Sequence, residues 1–106
     1  MAWGFLIVAG LLEVVWAYLM KLSEGFTRPI PSLGTILFMI ASFGLLSLAM
    51  RTLPLGTAYV VWTGIGAVGA FLVGMIVLHE PVSLLRIVAA GLIVTGLVLM
   101  KMTSTS

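Results

Sequence analysis

Long apolar runs broken by short polar clusters set the pattern of the chain. The first run covers residues 2–20 and ends at Lys21-Leu22-Ser23-Glu24-Gly25-Phe26-Thr27-Arg28-Pro29, where Gly25 and Pro29 act as stop signals. The second covers 30–50, with Pro31 tolerable in its first turn, and the break Arg51-Thr52-Leu53-Pro54-Leu55-Gly56 follows. The third covers 57–78, with Thr57 as its N-cap. His79-Glu80-Pro81-Val82 separates it from the fourth, 84–100, which Ser83 caps. Lys101 marks the end of that run, and Thr103-Ser104-Thr105-Ser106 is a short polar tail. No run alternates apolar and polar with period two, as a membrane barrel strand does. About 20 helical residues cross a hydrocarbon core of roughly 30 Å. The pattern therefore predicts an all-α integral membrane protein, a single domain of four transmembrane helices over 1–106, with nothing left over for a soluble domain and no internal repeat.

Composition supports the same class. The chain is 62% hydrophobic and 8% charged, against about 25% charged residues in soluble domains. So few charges cannot cover the surface of a soluble fold this small. The net charge of +2 is spread along the chain, which leaves no basic patch and excludes a nucleic-acid partner. With no cysteine there is neither a disulfide framework nor a thiolate metal site. His79 stands alone as a loop histidine, so no metal site is expected, and no cofactor. No nucleophile–base pair, phosphate loop or dinucleotide fingerprint supports an enzyme. The first run has the position of a signal peptide. It lacks the basic leading segment and the small-residue cleavage site, and carries an acid in its centre, so it reads as a retained helix.

That acid, Glu13 in Leu11-Leu12-Glu13-Val14-Val15-Trp16, is the candidate functional centre. An ionised acid at mid-bilayer costs on the order of 3 kcal/mol on insertion scales, and such residues are functional by default. The plainer alternative is a protonated Glu13 hydrogen-bonded to a neighbouring helix. Helical spacing puts Leu6, Ala9, Gly10, Glu13, Trp16, Ala17 and Met20 on one face. Gly10 leaves room beside the carboxylate, and Trp16 offers an indole N–H and a π face. Ser42, near mid-depth in the second helix, is placed to donate to Glu13; bonding to the carbonyl one turn back is the alternative. Tyr59, Trp62, Thr63 and Gly66 share a face of the third helix. Trp62 lies far enough in to line a pocket, whereas Trp3 and Tyr59 suit an interfacial belt as well. Gly64, Gly66, Gly69 and Gly74 on that helix fit close packing, and Gly64 and Gly66 also fit a hinge. Gly91 and Gly96 on the fourth helix suggest a helix–helix seam. Lys21 and Glu24 form a weak surface pair in a solvated turn.

Orientation is nearly undetermined. Four helices put both termini on one side with Arg51 and Lys101, against Lys21, Arg28 and Arg86 on the other. A difference of one cation gives almost no preferred topology under the positive-inside rule. Either the first helix alone decides, or copies insert both ways round and pair antiparallel. Transporters commonly build alternating access from two inverted repeats around a midplane site; one short chain supplies one repeat, and two opposed copies supply the pair.

Four segments together resemble the small multidrug resistance family of proton-coupled exporters over essentially the whole chain. They are Gly10-Leu11-Leu12-Glu13-Val14-Val15-Trp16-Ala17, the stretch Lys-Leu-Ser-Glu-Gly-Phe-Thr-Arg at 21–28, Leu53-Pro54-Leu55-Gly56-Thr57-Ala58-Tyr59, and Trp62-Thr63-Gly64-Ile65-Gly66. Gly10, Trp16-Ala17 and the run on to Ala67-Val68-Gly69 resemble its guanidinium-exporter branch; the branch that exports polyaromatic drugs tends to smaller or hydroxylated residues at 16 and 17. The resemblance implies an antiparallel, dual-topology homodimer in the bacterial inner membrane. It implies Glu13 as the shared site of proton and substrate, with Ser42 and Trp16 as its hydrogen-bonding partners and Tyr59 and Trp62 as lining. It further implies a bend near Gly64 and Gly66 and dimer packing on the fourth helix around Gly96.

The chemistry of the residues agrees with that expectation. Guanidinium is planar and permanently charged, and matches a carboxylate with two parallel N–H bonds. Protons and a small cation competing for the same oxygens, with two access states, give antiport. The partners expected are thus protons, a small cationic substrate, membrane lipid and a second copy of the chain. Export of quaternary ammonium drugs is the runner-up, and a non-transporting membrane assembly subunit is the reading from another class.

Overall fold

In the computed structural model, which describes residues 1–103, four helices account for nearly the whole chain: α1 (Ala2–Leu22), α2 (Pro29–Ala49), α3 (Leu55–Ile76) and α4 (Leu84–Thr103). Each is long and apolar enough to cross a membrane, and the chain is a multi-pass membrane protein. Of the polar tail, Ser104, Thr105 and Ser106 lie outside the described residues.

The helix ends differ from the apolar runs for local reasons. α3 begins at Leu55 rather than Thr57, because Pro54 is its N-cap: its backbone is extended, and its carbonyl accepts the Ala58 N–H at 3.0 Å. A proline lacks the N–H that a helix start leaves unpaired, so Thr57 has no capping to do. α3 ends at Ile76 rather than Leu78, since Leu78 N–H reaches back to Val73 O at 3.2 Å and His79 turns to φ 55. α1 runs on to Leu22, where buried Ser23 closes it, donating to Met20 O at 2.6 Å and accepting from Phe26 N–H at 3.1 Å. α4 continues past Met100 to Thr103. Ser83 does cap α4, accepting the Arg86 N–H at 3.3 Å.

α1 is the central element, packed against both α2 and α3, while α4 packs mainly against α3 and has no buried residue. The buried cluster lies where α1, α2 and α3 meet: Leu6, Ala9, Leu46, Ala49, Leu53, Ala58, Val61 and Trp62. The extents of 43 × 34 × 16 Å describe a slab. Lipid tails are as apolar as leucine, so burial gives little drive to pack these helices; close approach at small residues does that instead. Glycines make the seams here. A Cβ on Gly34 would lie 3.1 Å from Leu19 Cδ1, and one on Gly64 would lie 2.6 Å from Leu97 Cδ2.

One sequence expectation about the surface changes. The surface pair is Glu24 with Arg28, at 2.9 Å, rather than Glu24 with Lys21. The helix on which Lys21 sits stops at Leu22, and Glu24, Gly25 and Phe26 all take positive φ, which swings Glu24 toward Arg28. Trp3, in the first turn of α1, is half-buried against the core and lies under Lys101, with Nζ 4.6 Å from the ring centroid.

Candidate functional site

Glu13 sits half-way along α1, on the seam with α3. Its carboxylate lies directly on the α3 backbone at Gly66, where a Cβ would overlap Glu13 Oε1 and stand 2.8 Å from Cγ. One turn earlier, Gly10 meets Ile65, and a Cβ there would be 2.7 Å from Ile65 Cγ2. One residue later, Val14 fills the space over Gly69. The face shared by Gly10 and Glu13 is thus fitted against a glycine-spaced face of α3. Gly66 is required by close approach, and so is Gly64 under Leu97; α3 is one helix from Leu55 to Ile76 through both.

The hydrogen bonds of Ser42 differ from the expected ones. Its hydroxyl is fully buried and donates to Ala9 O on α1 at 2.7 Å, and it accepts from Trp62 Nε1 at 3.0 Å. Ser42 therefore bonds neither Glu13 nor its own helix; it joins α1, α2 and α3. Trp62 is 7% exposed and held by this bond. An aromatic row runs over the junction. Trp16 meets Phe43 edge-on at 6.2 Å, Phe43 meets Trp62 at 5.6 Å, and Tyr59 tilts against Trp62 at 5.8 Å. Tyr59 is 52% exposed and marks the open end of the row.

Phe43 was missed by sequence reasoning, because a phenylalanine in an apolar helix reads as lipid-facing. Its position next to Ser42 was the available signal. Thr63, expected on the face of Tyr59 and Trp62, is exposed. Gly91 and Gly96 are remote from the site: both are exposed, and among the described residues nothing lies within 4 Å of a Cβ added at either.

Among the described residues, two polar atoms at the centre are buried without a hydrogen-bond partner: Glu13 Oε1 and Trp16 Nε1. Buried polar groups are ordinarily paired, and each exception needs a reason. An acceptor on a carboxylate and an indole donor one turn away, beside a wall of π faces, suit a small organic cation.

Ser42→Ala tests the junction. It orphans the Trp62 indole N–H, which should cost about 1–3 kcal/mol. The expected result is a lower melting temperature in detergent and weaker quenching of tryptophan fluorescence by substrate; an unchanged melt would mean that the junction contributes nothing.

The chain has known relatives. The family model "Small Multidrug Resistance protein" matches residues 1–93. Proteins named "Guanidinium exporter" from Citrobacter freundii and Klebsiella oxytoca are 55% identical over 104 residues, covering 98% of this chain and 99% of each relative. A "Guanidinium exporter" from Yersinia pestis is 53% identical over 104 residues, 98% of this chain and 100% of the relative.

Proposed function

Because the chain belongs to the small multidrug resistance family, we propose that it exports guanidinium and small substituted guanidinium ions in exchange for protons, across the bacterial inner membrane. The observation that carries this reading is the unpartnered Glu13 Oε1, buried at the seam of α1 and α3 beside the free Trp16 indole. A carboxylate binds either a proton or one flat cation. Two access states then couple the two flows in opposite directions, and the proton gradient drives the cation out. The names of the relatives support guanidinium as the cation.

The working unit in this reading is an antiparallel pair. The near-equal charge on the two sides supports it, as does a subunit only 16 Å deep, too thin to enclose a guarded pathway alone. In the pair, Tyr59, Trp62 and Trp16 line the space around both copies of Glu13. Gly64 and Gly66 are the flexible segment of α3. The exposed face of α4 around Gly91 and Gly96 packs against the other copy.

A second reading within the family is export of quaternary ammonium ions, favoured by the row of Trp16, Phe43, Trp62 and Tyr59, since π faces attract such cations. Substrate-evoked currents on reconstituted protein separate the two. Guanidinium is expected to evoke a current and tetrapropylammonium little or none; the reverse order would favour the second reading. Proton competition also fixes a sign. Where Glu13 is protonated, guanidinium must displace the proton, so its apparent affinity should fall as pH falls, by at most about tenfold per pH unit for each proton displaced. Affinity that rises toward low pH would contradict a shared site.

A further inference from the structure

A cavity of about 210 Å³ lies between α1 and α3, toward the end of the helices that carries the α1–α2 and α3–α4 connections. Its lining includes Val14, Tyr18, Lys21, Gly74 and Glu80. Val14, the residue after Glu13, is its inner end, seated on Gly69. Lys21, in the last turn of α1, and Glu80, in the α3–α4 connection, bring opposite charges to the same cavity from the two helices that bound it.

Glu80 is held there by a specific fold of the backbone. α3 stops at Ile76, His79 takes φ 55, and Glu80 N–H donates to Gly74 O at 2.9 Å. The Glu80 carboxylate folds back over Gly74, where a Cβ would overlap its Oε1. Gly74 is thus the seat of an acid. Arg86, the other cation toward this end outside the Glu24–Arg28 pair, lines a separate cavity between α3 and α4. Of the chain's three acids, Glu13 lies in the bilayer and Glu24 is paired with Arg28. Among the described residues Glu24–Arg28 is the only ion pair within 4.0 Å, so Lys21 and Glu80 stand apart across the cavity.

We propose that Lys21 and Glu80 are the two halves of an ionic latch on the route to Glu13. Paired, they close the α1–α3 cavity at the membrane face; apart, as in this structure, they leave it open down to Val14. The inference rests on the transport reading above. In an antiparallel pair the two latches lie on opposite faces of the membrane, so one closed and one open latch give access from one side only. A solvated ion pair is weak, which suits a contact that must break in every cycle.

The absence of cysteine makes the test clean. Lys21→Cys with Glu80→Cys places one thiol on each side of the cavity, for joining by a short, reducible bis-methanethiosulfonate. The expected product is a link within one chain, because the partner's copies lie across the membrane. Linking should stop guanidinium-evoked current, and reductant should restore it. Failure to link within the chain, or undiminished current in linked protein, overturns the latch. In a second arm, Glu80→Lys should slow turnover roughly two- to fivefold, the scale of a solvated ion pair, and adding Lys21→Glu should restore it. No recovery in the swapped variant also overturns the latch. Linking is read by mass and needs no current, so an unlinked chain counts against the latch alone. A parent protein that gives no current counts against the transport reading.

Discussion

Glu13→Gln is expected to abolish guanidinium-evoked current while leaving the helices assembled. Glutamine keeps the size of the side chain and its place on Gly66, so the seam of α1 and α3 has no steric reason to open. It cannot carry the negative charge that two parallel N–H bonds from guanidinium would meet. Bonds to charged groups contribute about 1.5–3 kcal/mol each, so losing two of them weakens binding by roughly a hundredfold or more. The amide also has no proton to exchange at working pH, which removes coupling altogether. Glu13→Asp retains both charge and proton but draws the carboxylate back from Gly66, and should leave a slow, still proton-coupled current. Currents from the three proteins at matched density test this. Equal currents from the parent and Glu13→Gln would place the site elsewhere.

Gly66→Ala should be nearly as damaging, by a purely steric route. The added methyl would occupy the space of Glu13 Oε1 and overlap its Cδ, without altering a charge. Either the carboxylate turns away or α3 withdraws from α1, and overpacking of this kind costs about 1–3 kcal/mol. Guanidinium-evoked current should fall at least about tenfold, since a small misplacement of a binding group has effects of that size or more. Gly56→Ala is the matched control, because no described residue lies within 4 Å of the added carbon, and it should behave as the parent does. Parent-like current from Gly66→Ala would mean that the carboxylate need not rest on α3.

The four spans were legible in the sequence, because a bilayer demands length and apolarity, and both are written in linear order. Glu13 was legible for the same reason: a charge in an apolar run stands out whatever the helices do around it. The partners of Ser42 were not. A serine on a membrane helix points to whichever neighbour the rotation of that helix presents, and that rotation is set by packing. Here the glycine-fitted seams bring α1 close enough for Ser42 to reach Ala9 O, and Trp62 takes up its remaining capacity. Phe43 was invisible because one side of a helix looks like another when both are apolar. The pairing of Glu24 was not legible because the backbone past Leu22 turns left-handed, and a turn of that shape, not the order of charges, decides which cation Glu24 meets.

The family's small size poses a physical problem that the site addresses economically. A single chain of 106 residues offers one acid at mid-depth and one thin layer of helices. Around that acid, α3 contributes a glycine where bulk would block it and the rings of Tyr59 and Trp62 at the same junction, while α2 ties the helices together through one hydroxyl. α4 takes no part in this centre within the subunit and leaves its outer face free.

The most direct measurement is proton release on substrate binding. Detergent-solubilised protein in weak buffer, mixed with guanidinium at constant ionic strength, should acidify the medium, and Glu13→Gln should release nothing. A parent protein that binds guanidinium without releasing protons, or a Glu13→Gln variant that releases as many as the parent, would contradict the exchange of proton and cation at this carboxylate.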